Sequence, residues 1–510
     1  MKKYIFVFTL LILLTACSRI LEEPDFYEIE PVSTEIESPP PQELSTTPEP
    51  KSEPEPCRRV PVTISRGPEY NFSDDVDAIV TFVEAVHPNF IVEGRMCMDE
   101  YVLFREAYIT AVQNPMNPTE FMLATKRFLS VFNDGHLSRT FMTGEWHFID
   151  DEWEWESRLF QDGYFIDHLF LSRNGKLFLA DDDFVITDDQ VLAIGGVPYY
   201  EIFAVVDYYF GAYNYAGMQR ARGRYARYQL MLHLAGADIY MYDDQLVVDI
   251  TVLRNGEEYK MEVGFIPDHP SAYRLPCYEP EYRVRWEMMG DDIFYVSLNG
   301  GITNASLVVE ASFAIERALA DGVKYFIFDL RNFRGGHVDI SPTLFAALGV
   351  TPPGAGFIIR LSDQVKEWAE QRDGIPYFHY LRHLTWADMV GREYLYIPRS
   401  PEQSDNPYGI FIIALTSERS FSAAPMFAAE IADSGFGMVI GEPGASPPTG
   451  VGAGQTLWTE LSMLEIRPHY QFFLRPDAEA DQQTLWPCIH VYEWYALQVA
   501  LEYIESLIAP

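Results

Sequence analysis

The run Ile410-Phe411-Ile412-Ile413-Ala414-Leu415 passes through Thr416-Ser417-Glu418-Arg419-Ser420-Phe421 into Ser422-Ala423-Ala424. Six consecutive apolar residues fit a strand covered on both faces, and the alanine-rich segment from Ala423 to Ile431 fits a helix. Around this unit the pattern repeats. Strands are expected at Ile293 to Leu298, Tyr325 to Leu330 and Met438 to Ile440, and helices at Ala305 to Ala320 and Ile340 to Leu348. Alternation of this kind predicts an α/β class with a mostly parallel sheet, whose sites lie at the carboxyl ends of the strands. Chemistry is therefore sought just after Leu330 and Leu415.

After Leu330 stands Arg331-Asn332-Phe333-Arg334-Gly335-Gly336. Paired glycines at a strand end permit a tight turn with backbone N–H groups aimed at one spot, as an oxyanion requires, although a plain turn reads the same. After Leu415, Ser422 opens directly into a helix. Its hydroxyl would lie at the positive end of the helix dipole, where an alkoxide is favoured, or it would simply cap the helix.

Upstream, Ser73 with Asp74 and Asp75 starts a helix carrying Val76, Ile79, Val80 and Val83 at helical spacing, and Thr119 to Val131 reads as another. Residues 61–150 are thus a helical cap, and Asn133-Asp134-Gly135-His136 follows the second helix. Residues 151–275 turn strand-like, at Lys176 to Ala180, Gln190 to Ile194 and Gln245 to Val252, with turns at Gly195-Gly196 and Asn255-Gly256 and a helical insert from Met218 to Leu234. Val191 to Pro198 resembles the strand-turn of a PDZ domain, so this β-rich insertion reads as divergent PDZ-like or as an unrelated insert. Trp146 to Glu156, aromatic and acidic, would line a cleft or form a surface hairpin.

The 510 residues carry 37 Lys+Arg against 75 Asp+Glu, a net charge of −38. So acidic a chain repels a phosphate backbone, which argues against nucleic acid as a partner. Lys2 and Lys3 precede an apolar run, Ile5 to Leu14, ending in Leu14-Thr15-Ala16-Cys17. Residues 1–16 resemble a bacterial lipoprotein signal, which implies cleavage before Cys17, its acylation, and a lipid-anchored place in the cell envelope outside the cytoplasm. Residues 17–60 form a linker; from Leu21 to Pro56 it holds nine prolines, eleven acidic residues and one base, Lys51. The other four cysteines allow three pairings, which the sequence leaves open.

Residues 276–510 hold both motifs. Together with Gly441-Glu442-Pro443 after the next strand, they resemble the tail-specific, or C-terminal-processing, serine protease family. Asn133-Asp134-Gly135-His136 is similar to its Gly-Asp-Gly-His turn, and Leu474-Arg475-Pro476-Asp477 to its carboxy-terminal end. The chain departs in that Asn332 comes one place early and Cys488 stands where many relatives have aspartate. The resemblance implies a crotonase/Clp-like α/β sandwich core, with Ser422 as nucleophile and the N–H groups of Gly336 and Ala423 as the oxyanion hole. Where the Ser-Lys branch has its lysine, this chain has Val451, and a valine accepts no proton. His136 is then the leading base, as in the tricorn-like branch, with His337 as a fallback. Asp134, Glu442, Asp477 or Glu479 would orient it. No metal or organic cofactor is called for. The implied activity is endopeptidase action on a peptide or protein substrate; the alternative is an inactive relative that binds peptides or another envelope ligand.

Overall fold

Period-two burial builds the central sheet. In the strand Phe411–Thr416, Ile412 and Ala414 face one apolar cluster while Ile413 and Leu415 face another. Tyr325–Asp329 divides the same way, Phe326 and Phe328 to the first cluster and Ile327 to the second. A strand that must bury both faces reads as an uninterrupted apolar run. Each such isoleucine, leucine or phenylalanine taken from water contributes roughly 1.5–3 kcal/mol.

In this computed structural model the described residues are 60–61, 68–137, 141–142, 164–180, 186–242, 245–267, 283–302, 305–371, 391–400, 402–481 and 484–508. The central sheet has six strands in the order Val284–Met289, Ile293–Leu298, Tyr325–Asp329, Phe411–Thr416, Gly437–Gly441 and Ile489–His490. Only the first pair is antiparallel. Helices Val309–Ala320, Ile340–Ala347 and Ala423–Ser434 cover one face and Glu493–Ile508 covers the other. The expected mostly parallel α/β sheet is present. Beside it lies a four-stranded antiparallel sheet, Tyr394–Ile397, Gly356–Arg360, His469–Leu474 and Gly450–Gly454. Its strand His469–Leu474 is buried along its whole length.

Upstream, helices Ser73–Val86, Met98–Ala111 and Pro118–Leu129 pack through Phe72, Phe121 and Phe128. Asn117 starts the third with a capping box to Glu120. A nine-stranded sheet that includes Leu169–Arg173, Lys176–Ala180, Ile186–Ile194 and Gln245–Arg254 follows. The hairpin from Gln245–Arg254 to Glu257–Pro267 turns on Asn255 and Gly256, both at positive φ, as the dipeptide leads one to expect. The insert is three helices, Tyr199–Tyr209, Tyr215–Tyr225 and Gln229–Leu234, in place of one. Val206, Phe210, Tyr225 and Leu230 join the apolar core of the upstream helices, so insertion and cap share a core. Trp146 to Glu156, the signal and the linker up to residue 59 lie outside the described residues. No described helix is long and apolar enough to cross a membrane.

Candidate active site

Two strand ends are stitched together by the side chains of the sequence motifs. Ser417 Oγ donates to the carbonyl of Arg331 at 2.7 Å, and Ser420 Oγ to that of Leu330 at 2.8 Å. Arg419 Nε donates to Asn332 Oδ1 at 2.7 Å, and the Phe421 amide to the Phe333 carbonyl at 3.1 Å. Asn332, one place early against the motif, thus has a local task. These bonds bring the glycine turn to the serine turn: a Cβ added at Gly335 (φ +82°) would stand 2.6 Å from Ser422 Cβ. At Gly336 (φ +145°) it would meet the Ile302 carbonyl oxygen at 1.9 Å. Both positions require glycine.

Ser422 precedes helix Ala423–Ser434 with φ 60° and ψ −113°, a sparsely populated conformation for a residue with a side chain. Its hydroxyl makes no capping bond to the helix. Its amide instead donates to Ser446 Oγ at 2.9 Å. Ala423 is the first helical residue, whose N–H has no acceptor within the helix. Ser422, Ala423, Gly336, His136, Tyr213 and Val451 line one cleft. The valine at the lysine position thus faces the same cleft as the serine.

His136 reaches the cleft from the turn after the cap helices. Its ring packs 4.6 Å from that of Phe421, the residue before Ser422, and its side chain is 14% exposed. It lines the same cleft as Ser422, with no hydrogen bond between the two side chains. Its Nδ1 lies 3.2 Å from Asp134 Oδ1 and 2.6 Å from the Tyr213 hydroxyl. Asp134 is buried and also accepts the His136 amide at 2.8 Å and the Tyr213 hydroxyl. Its other oxygen meets His87 Nε2 at 3.3 Å and His469 Nδ1 at 3.4 Å. His87 Nδ1 accepts the Asn89 amide, so Nε2 carries the proton and donates to Asp134. Burial alone would raise the Asp134 carboxyl; bonds from His136, His469 and His87 outweigh it and hold it well below the usual carboxylate range. His87 is itself lowered, chiefly by burial.

The other sequence candidates have other partners. Glu442 accepts Arg173 Nη2 at 2.9 Å and the Glu493 amide at 3.1 Å. Burial, opposed by Arg173 and reinforced by Glu493, pushes it up to about 7. Glu479 and Asp477 are exposed. His337 accepts the Asp339 amide at Nδ1, 3.2 Å. Cys97 and Cys488 are free thiols. His469, Tyr213 and His87 escaped the sequence reading: each is a lone residue, and His469 is 335 positions from Asp134. For a cation, Asp134, His136 and His469 offer ligand atoms within 4.8 Å of one another.

Residues 295–458 match the family model described as peptidase family S41, and residues 1–18 match a prokaryotic membrane lipoprotein lipid attachment site. The chain is therefore a lipid-anchored envelope protein. No curated protein matches it. Among solved structures it is similar to mature CPAF, at 14% identity and TM-score 0.58, covering 86% of this chain and 96% of that one. Mature CPAF complexed with lactacystin gives 14%, 0.57, 86% and 97%. The photosystem II D1 C-terminal processing protease gives 12%, 0.43, 83% and 94%. At such identities the likeness to CPAF speaks for the fold, while the matched segment carries Gly335-Gly336, Ser422 and Gly441-Glu442-Pro443. Residues 295–458 thus form a peptidase family S41 domain, and the chain that carries it is a serine-type peptidase.

Proposed function

We propose that the chain is a membrane-tethered endopeptidase in which Ser422 is the nucleophile, His136 the general base and Asp134 the acid that orients it. The observation that carries this reading is the cleft shared by an uncapped, strained Ser422 and a histidine held through Nδ1 by a buried carboxylate. With Nδ1–H directed at Asp134 and at the oxygen of the Tyr213 hydroxyl, which itself donates to Asp134, Nε2 is the basic nitrogen. Ser422 Oγ attacks the peptide carbonyl carbon as its proton passes to Nε2. The oxyanion is held by the N–H groups of Gly336 and Ala423. Collapse breaks the C–N bond, the imidazolium returns the proton to the amine, and water releases the acyl group by the same route.

The finer architecture belongs to the same reading: 276–510 as a crotonase/Clp-like sandwich, 151–275 as a divergent PDZ-like module and 61–150 as the cap. The helices on both faces of the central sheet support the first, and Gly195-Gly196 at positive φ the second. Hydrolysis of a quenched peptide library by the purified chain tests the activity. His136→Gln is expected to lose it with its fold intact; hydrolysis undiminished in that variant would remove His136 from the mechanism.

A further inference from the structure

We propose that Asp134, His136 and His469 form a zinc site whose occupation switches the peptidase off. This rests on the reading of His136 as the base, and extends it to regulation of the same site.

Two imidazoles and one carboxylate are a common zinc ligand set, and zinc prefers ligands at about 2.0–2.2 Å in a tetrahedron. Such bonds place neighbouring ligand atoms about 3.4 Å apart. The structure has His136 Nδ1 at 3.2 Å and His469 Nδ1 at 3.4 Å from the Asp134 oxygens, with all three residues' ligand atoms within 4.8 Å of one another. The rings of His136 and His469 lie 4.3 Å apart. A metal there takes the place of the hydrogen bonds from His136 Nδ1 to Asp134 and to the Tyr213 hydroxyl, 2.6 Å away, and displaces that hydroxyl or gains it as a further oxygen neighbour.

The surroundings hold the ligands in place. His469 is fixed on a strand buried throughout, between Gly356–Arg360 and Gly450–Gly454. Asp134 is further held by His87, a neighbour that orients a ligand as outer partners of metal sites do. His136 lines the open cleft, which gives the ion its route. Zinc on Nδ1 of His136 would take that nitrogen's lone pair, so the ring's one proton moves to Nε2, with a divalent charge against the ring. The opposite nitrogen then no longer takes up the Ser422 proton, so the metal inhibits.

The test uses the full chain with Cys97→Ser and Cys488→Ser, which removes the two exposed thiols among the described residues as competing ligands. Zinc affinity is read by competition with a chromophoric chelator in a Ser422→Ala background, so that binding is measured without activity. One zinc per chain is expected, weakened at least about tenfold by His469→Gln. X-ray absorption of the zinc-loaded Ser422→Ala protein is expected to show two imidazoles and oxygen. In the chain with Ser422 present, stoichiometric zinc is expected to suppress peptide hydrolysis and a chelator to restore it. Absence of stoichiometric binding, affinity unchanged by His469→Gln, fewer than two imidazoles, or hydrolysis indifferent to bound zinc would each overturn the proposal. Activity that survives His136→Gln would instead defeat the base assignment, and the zinc measurement in the Ser422→Ala protein is independent of that result.

Discussion

At Ser422 the backbone conformation and the hydroxyl point the same way. A serine that merely capped its helix would adopt extended backbone angles and bond to an amide of the first turn. Ser422 does neither. Such strain persists where the surroundings impose it, here through Ser446, Phe333 and the glycine pair. Ser422→Ala is expected to lower kcat/KM by at least about a thousandfold with unchanged thermal unfolding. Asp134→Asn is expected to lower kcat by about 10²–10⁴-fold, because the wrong imidazole tautomer is favoured. It should also lower the melting temperature, since four side chains converge on that carboxylate. Gly335→Ala forces a Cβ to 2.6 Å from Ser422 and demands φ +82° of an alanine. A loss of about 1–3 kcal/mol in urea unfolding, with loss of hydrolysis, is expected. Ser422 and Gly336 were legible because residue type and place after a strand coincide. His469 and Tyr213 were not, since no local spacing marks a residue that matters only through a contact made by the folded chain.

Among elements, those with one clear period were legible. Ile293–Leu298 and Lys176–Ala180 stand where the apolar run or its alternation places them. Helix Tyr199–Tyr209 was missed because its aromatic and β-branched residues resemble a strand. Burial of Ile202, Phe203 and Val206 at spacings of one, three and four is the signal that tells them apart. The strand Leu169–Arg173 supplies a link that no motif announced. Its Arg173 spans from the β-rich module to Glu442, and its guanidinium lies 4.5 and 4.4 Å over the rings of Tyr492 and Trp494. Glu442, in the Gly-Glu-Pro motif, thereby serves docking. Arg173→Ala leaves that buried carboxylate without its cation, and a loss of about 3 kcal/mol in urea unfolding is expected.

For the whole molecule, a net charge of −38 says little about the site, because the decisive charges are few and buried. Glu418, 8% exposed beside Ser417 of the serine turn, is pushed up to about 8. Burial is the main cause; Glu442 and Glu493 add to it, and Arg173 and Arg419 oppose it. A carboxyl whose folded value exceeds its unfolded one of 4.5 binds a proton more tightly when folded. Its contribution to stability is therefore full below that lower value and lost as pH rises through about 8. Unfolding free energies from urea melts should fall between about pH 5 and about pH 8, and Glu418→Gln should flatten that slope; an unchanged slope would assign it to other groups.

The nucleophile assignment carries the rest of the account, and covalent trapping addresses it without requiring a known substrate. The purified chain is treated with a fluorophosphonate and the adduct located by peptide mapping. One adduct per chain, on Ser422, with none formed by Ser422→Ala, is the predicted result. An adduct on another residue, or labelling undiminished in Ser422→Ala, would contradict it.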